Sequence, residues 1–332
     1  MTLRATAYWT VAPGRGELRD EPIMAPGPEE ALISTLHSGI SRGTELVVHR
    51  GQVPSGVAAR MRAPFQEGHL PGPVKYGYLS VGRVEQGPAD LRGRTVFCLY
   101  PHQDRYVVPV ASLTPVPDGV PAARAVLAGT VETALNALWD APPRLGDRVA
   151  VLGAGMVGCS VAALLATCPL DRLELVDVDP ERAAVAAALA VPFRAPEQAA
   201  DGCDLVFHCS ASSEGLNRGL ELLGEQGSLV ELSWYGDRPV TANLGADFHA
   251  RRLRIQASQV GIVGHPRRDH AERLATALRL LADPRFDALI SGHTAFADLP
   301  DTMDRLASGS LRGLCHVVDY DASPTTVQPP EA

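Results

Sequence analysis

The stretch DRVAVLGAGMVG, residues 147–158, sets three glycines behind a run of aliphatic side chains. The aliphatics at 149–152 suit a buried strand, and the apolar CSVAALLATC that follows, 159–168, has helical character. Between them Gly153, Gly155 and Gly158 stand in G-x-G-x-x-G spacing. In a strand–turn–helix of this kind the first glycine permits the tight turn and the second lets the backbone approach a pyrophosphate. The third lets the helix pack on the strand. Met156 and Val157 stand between the last two glycines, at the helix start, where free N–H groups and the helix dipole favour an anion. By itself the spacing is also that of a glycine-rich turn that binds nothing.

The neighbouring residues favour binding. RLELVDVD, 172–179, reads as a second strand ending in acid, and Asp177 stands nineteen residues beyond Gly158. Its carboxylate suits the two ribose hydroxyls of NAD and repels the 2′-phosphate of NADP. Asp179 adds a second acid. Strand-like runs recur at 204–209 (DLVFHC), 228–233 (SLVELS) and 253–258 (LRIQAS), with helical EGLNRGLELLG between the first two. This rhythm predicts an α/β domain over 119–262, a Rossmann-type, doubly wound parallel sheet that binds NAD.

The flanks differ. Residues 1–118 are rich in Gly, Pro and short β-type runs such as ALISTL, YLSVGRV, RTVFCLY and RYVVPV, which predicts an irregular, mostly β domain. After residue 262 come an amphipathic helix (DHAERLATALRLLADP), a strand (DALISGHTAF), a helix (LPDTMDRLAS) and a strand (LCHVVDY). This returning segment, 263–320, must pack on something already built. The Pro-rich DASPTTVQPPEA, 321–332, is expected to be a flexible tail.

Composition sets limits on partners. The 332 residues suggest two domains, and 45% hydrophobic with 20% charged residues allows a substantial core. A net charge of -8, with no basic run longer than RRLR at 251–254, gives no electrostatic footprint for nucleic acid or anionic lipid. The expected partner is a small molecule. The N-terminus lacks an apolar signal core and no apolar run approaches the roughly 20 residues needed to span a bilayer, so a cytoplasmic location without membrane contact is expected. The six cysteines form no C-x-x-C pair and read as free thiols, without disulfides or a structural zinc.

Taken in order, GTELVVHRG, YGYLSVGRV and GDRVAVLGAGMVG resemble the G-T-D-L-H-x-x-x-G, G-H-E-x-x-G-x-V and G-D-x-V-x-V-x-G-x-G-x-x-G segments of the medium-chain dehydrogenase/reductase superfamily. The resemblance runs to about Tyr320 and implies a GroES-like catalytic domain beside the Rossmann domain. In zinc-dependent members a cysteine, a histidine and a second cysteine hold the catalytic metal, with a glutamate nearby. Here the first cysteine falls at Ser41 or Arg42, the histidine at Tyr78, the glutamate at Leu79 and the second cysteine near Gly129. The family's proton-relay histidine falls at Val47, and the structural-zinc lobe is replaced by CLYPHQDRY, 98–106. The resemblance therefore implies a chain without a metal.

Something else must then polarise a substrate oxygen. Tyr78 is one candidate, its phenol able to donate to a carbonyl, though it could equally fill the emptied metal cavity. His102 could act as acid or base on a loop facing the cleft, or be a solvated loop histidine. Glu132 lies on the helix that passes beneath the nicotinamide in relatives; buried, it would have a raised pKa, and otherwise it is a surface glutamate. Thr133 on that helix is expected to touch the nicotinamide, and Ser41 to donate a hydrogen bond. Residues 52–73 form a longer insertion expected to shape the substrate mouth, where Arg60 and Arg62 either meet a polar substrate or are solvated.

The phrases SGISRGTE and GYLSVG resemble the zinc-free bacteriochlorophyllide-type dehydrogenases, which oxidise a secondary alcohol to a ketone. Three functions are consistent with the residues: NAD-dependent alcohol/ketone interconversion, reduction of an activated C=C bond in the manner of quinone and enoyl reductases, and dinucleotide binding without turnover. By analogy with relatives the chain is expected to form a homodimer through the edge of its nucleotide sheet.

Overall fold

The computed structural model describes residues 2–245 and 247–320. The tail expected at 321–332 lies outside the described residues. The middle of the chain forms a six-stranded, all-parallel sheet of β10 (Arg148–Leu152), β11 (Arg172–Val176), β12 (Phe193–Arg194), β13 (Cys203–His208), β14 (Leu223–Glu231) and β15 (Arg254–Ala257). Their spatial order, β12-β11-β10-β13-β14-β15, reverses direction between β10 and β13. This is the doubly wound Rossmann arrangement, and that reversal opens a crevice beyond the strands' carboxyl ends.

The first strands build a second unit. β1 (Thr2–Ala12), β2 (Arg15–Met24), β4 (Glu67–Gly68) and β5 (Val74–Lys75) make one small sheet. A larger one contains β3 (Glu30–Ile40), β6 (Ser80–Gln86), β7 (Thr95–Cys98), β8 (Arg105–Pro109) and β9 (Thr114–Pro115), extended by β16 (Ile290–Ala295) and β17 (Cys315–Asp319) from the far end of the chain. β17 lies between β16 and β3, so the returning segment completes the first unit's sheet. These sheets are the mostly β, GroES-like part, and the two units together give the α/β class expected.

Helices complete the structure. α1 (Arg42–His49) and α8 (Leu299–Ser308) pack together beside the β unit, while α2 (Ala122–Ala125) and α3 (Ala128–Asp140) lead into the nucleotide sheet. α4 (Met156–Leu165), α5 (Arg182–Ala188) and α6 (Ser213–Leu222) follow its strands. α7 (His270–Leu280) packs on α3, its start held by a capping box between Asp269 and Glu272. α4 carries almost no polar side chain, because it lies between the sheet and α3 and nearly all of it is buried. One apolar cluster runs without a break from Leu79, Val81 and Phe97 through Val126, Leu127 and Val131 to Val149, Val151 and Phe207. Both units therefore share a core, and α3 crosses it.

Candidate functional site

The glycine turn has the geometry its spacing implies. Gly153 has φ +101°, and a Cβ there would lie 2.7 Å from the Ser210 amide nitrogen across the crevice. A Cβ on Gly158 would lie 1.8 Å from the Gly153 carbonyl oxygen, so only hydrogen allows α4 to approach the strand. Gly155 faces open space, as the position beside a pyrophosphate must. Met156 and Val157 begin α4, whose first amides have no partner within the helix. Asp177, directly after β11, has one carboxylate oxygen 2.6 Å from the Ala154 amide and the other 2.9 Å from the Asp179 amide. The acid thus braces the glycine turn as well as facing the crevice. These residues fit a dinucleotide.

One feature of this end was not legible in the motif. Asp179 pairs with Arg182 at 3.3 Å, and at the start of α1 partial desolvation, with the nearby charges of Arg182, Arg50 and Arg312, lowers the Arg42 pKa. Acids and arginines thus stand together just beyond the end of β11.

The positions assigned to zinc ligands do converge. Tyr78 donates to Ser41 Oγ at 2.5 Å, and a Cβ on Gly129 would lie 2.6 Å from Leu79 and 3.7 Å from Tyr78. Cys315 is buried close by, its thiol raised to about 12 by desolvation and by Glu45. Two hydroxyls, a leucine and a glycine do not form the donor set of a tetrahedral zinc. Among the described residues no three His, Cys, Asp or Glu side chains gather as a metal site. Burial raises the Tyr78 phenol to about 12, opposed by its bonds to Ser41 and Thr44, so it stays protonated at neutral pH. Tyr76 meets it edge to face at 6.1 Å.

The other candidates are placed differently from one another. His102 neither faces the cleft nor is solvated: it is 1% exposed, with Nε2 2.8 Å from Glu45 Oε2 and Nδ1 2.6 Å from Ser38 Oγ. Ser38 continues to the Tyr320 hydroxyl at 2.9 Å, and the other Glu45 oxygen accepts from the Ser41 amide at 2.7 Å. A buried chain thus runs from β17's end to the start of α1, directly behind Ser41. Glu132 is buried, not a surface residue, and desolvation raises its pKa against the pull of Arg273, whose guanidinium lies 2.9 Å away. Through one oxygen its carboxyl ties α3 to Arg273 of α7. Thr133, half-buried, bonds back to the Gly129 carbonyl at 2.9 Å. In the insertion, Val53, Ala58, Ala63 and Leu70 pack beside Tyr78, and Arg62 bonds to the carbonyls of Gln66 and Gly68 within its own loop.

No family model matches the chain, and no curated protein matches it. Solved structures do. The chain superposes on L-idonate 5-dehydrogenase from Escherichia coli with a TM-score of 0.80 at 15% identity, covering 96% of this chain and 99% of that one. Against 2R,3R-butanediol dehydrogenase from Bacillus subtilis the TM-score is 0.74 at 18% identity, with coverages of 95% and 99%. The fold is that of the medium-chain dehydrogenases. A short-chain alcohol dehydrogenase from Escherichia coli, complexed with NADH, shares it with a TM-score of 0.76 at 15% identity, covering 95% and 99%. Within the medium-chain dehydrogenase fold, Tyr78 and Ser41 lie on the β unit and the glycine turn on the Rossmann unit, with α3 between them.

Proposed function

We propose that this protein is an NAD(H)-dependent oxidoreductase that interconverts a small secondary alcohol and its ketone without a catalytic zinc. The observation that supports the reading is the Tyr78–Ser41 hydroxyl pair, at positions that the resemblance assigns to a metal's ligands, beside a glycine turn whose geometry fits a dinucleotide. A bound nicotinamide dinucleotide supplies or takes the hydride. The remaining work falls to this chain. With substrate bound, the single phenol hydrogen of Tyr78, protonated at neutral pH, turns from Ser41 to the carbonyl oxygen and is given up as the alcohol forms, while the Ser41 hydroxyl reverses to donate to the phenol oxygen and hold it in position. Leu79 and the insertion's apolar residues keep water away. Asp177 and Asp179 support NAD over NADP.

One observation favours a second reading. Arg42 and Arg182 beside Asp179 would attract a 2′-phosphate, which suits an NADPH-dependent reductase of an activated C=C bond. The expected assembly is a homodimer through β15, whose four residues are all exposed on the sheet edge. A reducing cytoplasm would keep the six free cysteines as thiols.

Titration of metal-stripped protein with NADH and NADPH, read by nicotinamide fluorescence, tests the reading together with turnover of a panel of secondary alcohols. NADH binding at least roughly tenfold tighter, with turnover in the absence of zinc, supports it. Tighter NADPH binding moves the assignment to C=C reduction, and binding without turnover of any carbonyl or alkene makes the protein a dinucleotide binder alone.

A further inference from the structure

At the carboxyl ends of β13 and β14 a second polar cluster stands apart from Tyr78. His208, fully buried, has Nδ1 within 2.9 Å of Glu231 Oε2 and 3.0 Å of Oε1, and Nε2 2.7 Å from the hydroxyl of Ser210. Ser210 itself is exposed. Glu231 also accepts from the Ser233 amide at 2.8 Å and the Tyr235 hydroxyl at 2.9 Å. Burial alone would raise its pKa, but these bonds, led by His208, hold it below the ordinary glutamate value.

The hydrogen assignment closes on itself. An ionised Glu231 takes the Nδ1 proton, which leaves Nε2 of a neutral ring as an acceptor. The Ser210 hydroxyl then points its hydrogen at Nε2. Ser212, whose oxygen already accepts from the Gly215 amide, donates to Ser210 at 3.0 Å. Nucleophile, base and orienting carboxylate are in hydrogen-bond sequence, which is the arrangement that activates a serine.

The backbone is shaped around this serine. It sits in a strand–turn–helix between β13 and α6, and the next residue, Ala211, has φ +52°, an unfavourable conformation for alanine. A Cβ on Gly215 would lie 2.1 Å from Ser210 Oγ and 2.9 Å from His208 Nε2, so the first turn of α6 leaves room for that hydroxyl only because it carries glycine there.

We propose that Ser210, with His208 and Glu231, is an acyl-transfer site for small activated esters or thioesters. Ser210 Oγ attacks the acyl carbon, and its proton passes to His208 Nε2. The bond to the alkoxide or thiolate leaving group breaks, and that group takes the proton from His208. Water then enters by the same route, hydrolyses the acyl-serine and releases a carboxylic acid. The amides of Ser213 and Glu214, which precede the capped Gly215 amide at the start of α6, are the available donors for the developing oxyanion. The neighbours Gly153, Ser212 and Gly215 are small, which suits a short acyl chain. This site borders the crevice proposed for the dinucleotide, because Ser210 stands directly across it from Gly153, so a bound dinucleotide and an acyl substrate would compete for the space.

The test treats the full-length protein with a fluorophosphonate probe and maps the adduct by peptide mass spectrometry, alongside hydrolysis of p-nitrophenyl acetate. A single adduct on Ser210 is expected, absent in Ser210→Ala and slowed at least roughly a hundredfold in His208→Gln. Glu231→Gln is the second variant, expected to slow labelling by releasing the ring. Thermal melts confirm that each variant is folded. No adduct on the folded wild-type protein, an adduct on another residue, or equal rates in both folded variants would overturn the assignment.

Discussion

Glu45 and His102, 57 residues apart in the chain, meet 2.8 Å from each other with both side chains almost fully buried. They join the start of α1 to the loop before β8, and through Ser38 they reach Tyr320. Glu45 also accepts from the Ser41 amide, so the pair braces the backbone that carries Ser41. Glu45→Ala should leave His102 without its partner in an apolar surrounding and cost about 3 kcal/mol, read as a lower denaturant midpoint with an unchanged slope. An unaltered midpoint would mean that the pair contributes nothing net.

Tyr78→Phe removes the hydroxyl and keeps the ring that packs on Tyr76. If the phenol supplies the proton, kcat for ketone reduction falls roughly 10²- to 10³-fold with little change in KM. A variant with wild-type kcat would leave Tyr78 as a space-filling residue and move the search to Ser41.

The same phenol makes a prediction about base. Its pKa is raised to about 12 by burial, from about 10 in the unfolded chain. Above pH 10 the unfolded state loses its tyrosine proton while the folded state keeps it. Stability is therefore fully present below about pH 10 and is lost as the pH rises toward 12. Denaturant midpoints measured from pH 8 to 11 should be level at first and then decline, and Tyr78→Phe should decline less.

The glycine turn separates two effects. Gly158→Ala places a methyl group against the Gly153 carbonyl, so it should lower the melting temperature and weaken NADH binding together. Gly155→Ala meets no atom within 4 Å and should melt like the parent. Any weakening of NADH binding by Gly155→Ala then reports contact with the cofactor alone. Calorimetry and fluorescence titration of the two variants make the comparison.

Arg273 is fully buried between Glu132, Asn136 and the carbonyl of Val260. Arg273→Met should strand the Glu132 carboxylate and cost roughly 3–5 kcal/mol. Arg273→Met combined with Glu132→Leu should recover most of that loss, because an apolar pair of similar volume leaves no buried charge. Failure of the double variant to recover would place the energy in Asn136 and the backbone carbonyls.

Much of this architecture is local in sequence. The glycine spacing, the acid nineteen residues on and the aliphatic runs all act within one β–α–β unit, and each holds the conformation its residues favour. The polar clusters are of another kind. Arg273 lies 141 residues from Glu132, and Tyr320 lies 282 from Ser38. No periodicity joins such residues. What the chain did display was polar residues in otherwise apolar runs: Glu132 in AGTVETALNAL, His208 in DLVFHC and Glu231 in SLVELS. A charge or ring in such a place must find a partner, but which partner depends on how strands far apart in the chain come side by side. His102 illustrates this: a loop histidine by sequence, it is enclosed because β1 and α1 close over it.

β17 occupies the place between β16 and β3. A ribosome emits β3 early and β17 some 275 residues later, at roughly 5–20 residues per second. During that interval part of β3's edge has no neighbour, while the nucleotide sheet at 148–257 has all six of its strands available. The interior of the polypeptide can therefore reach its final form before the beginning does, and the emerging β unit keeps an incomplete sheet until β17 arrives.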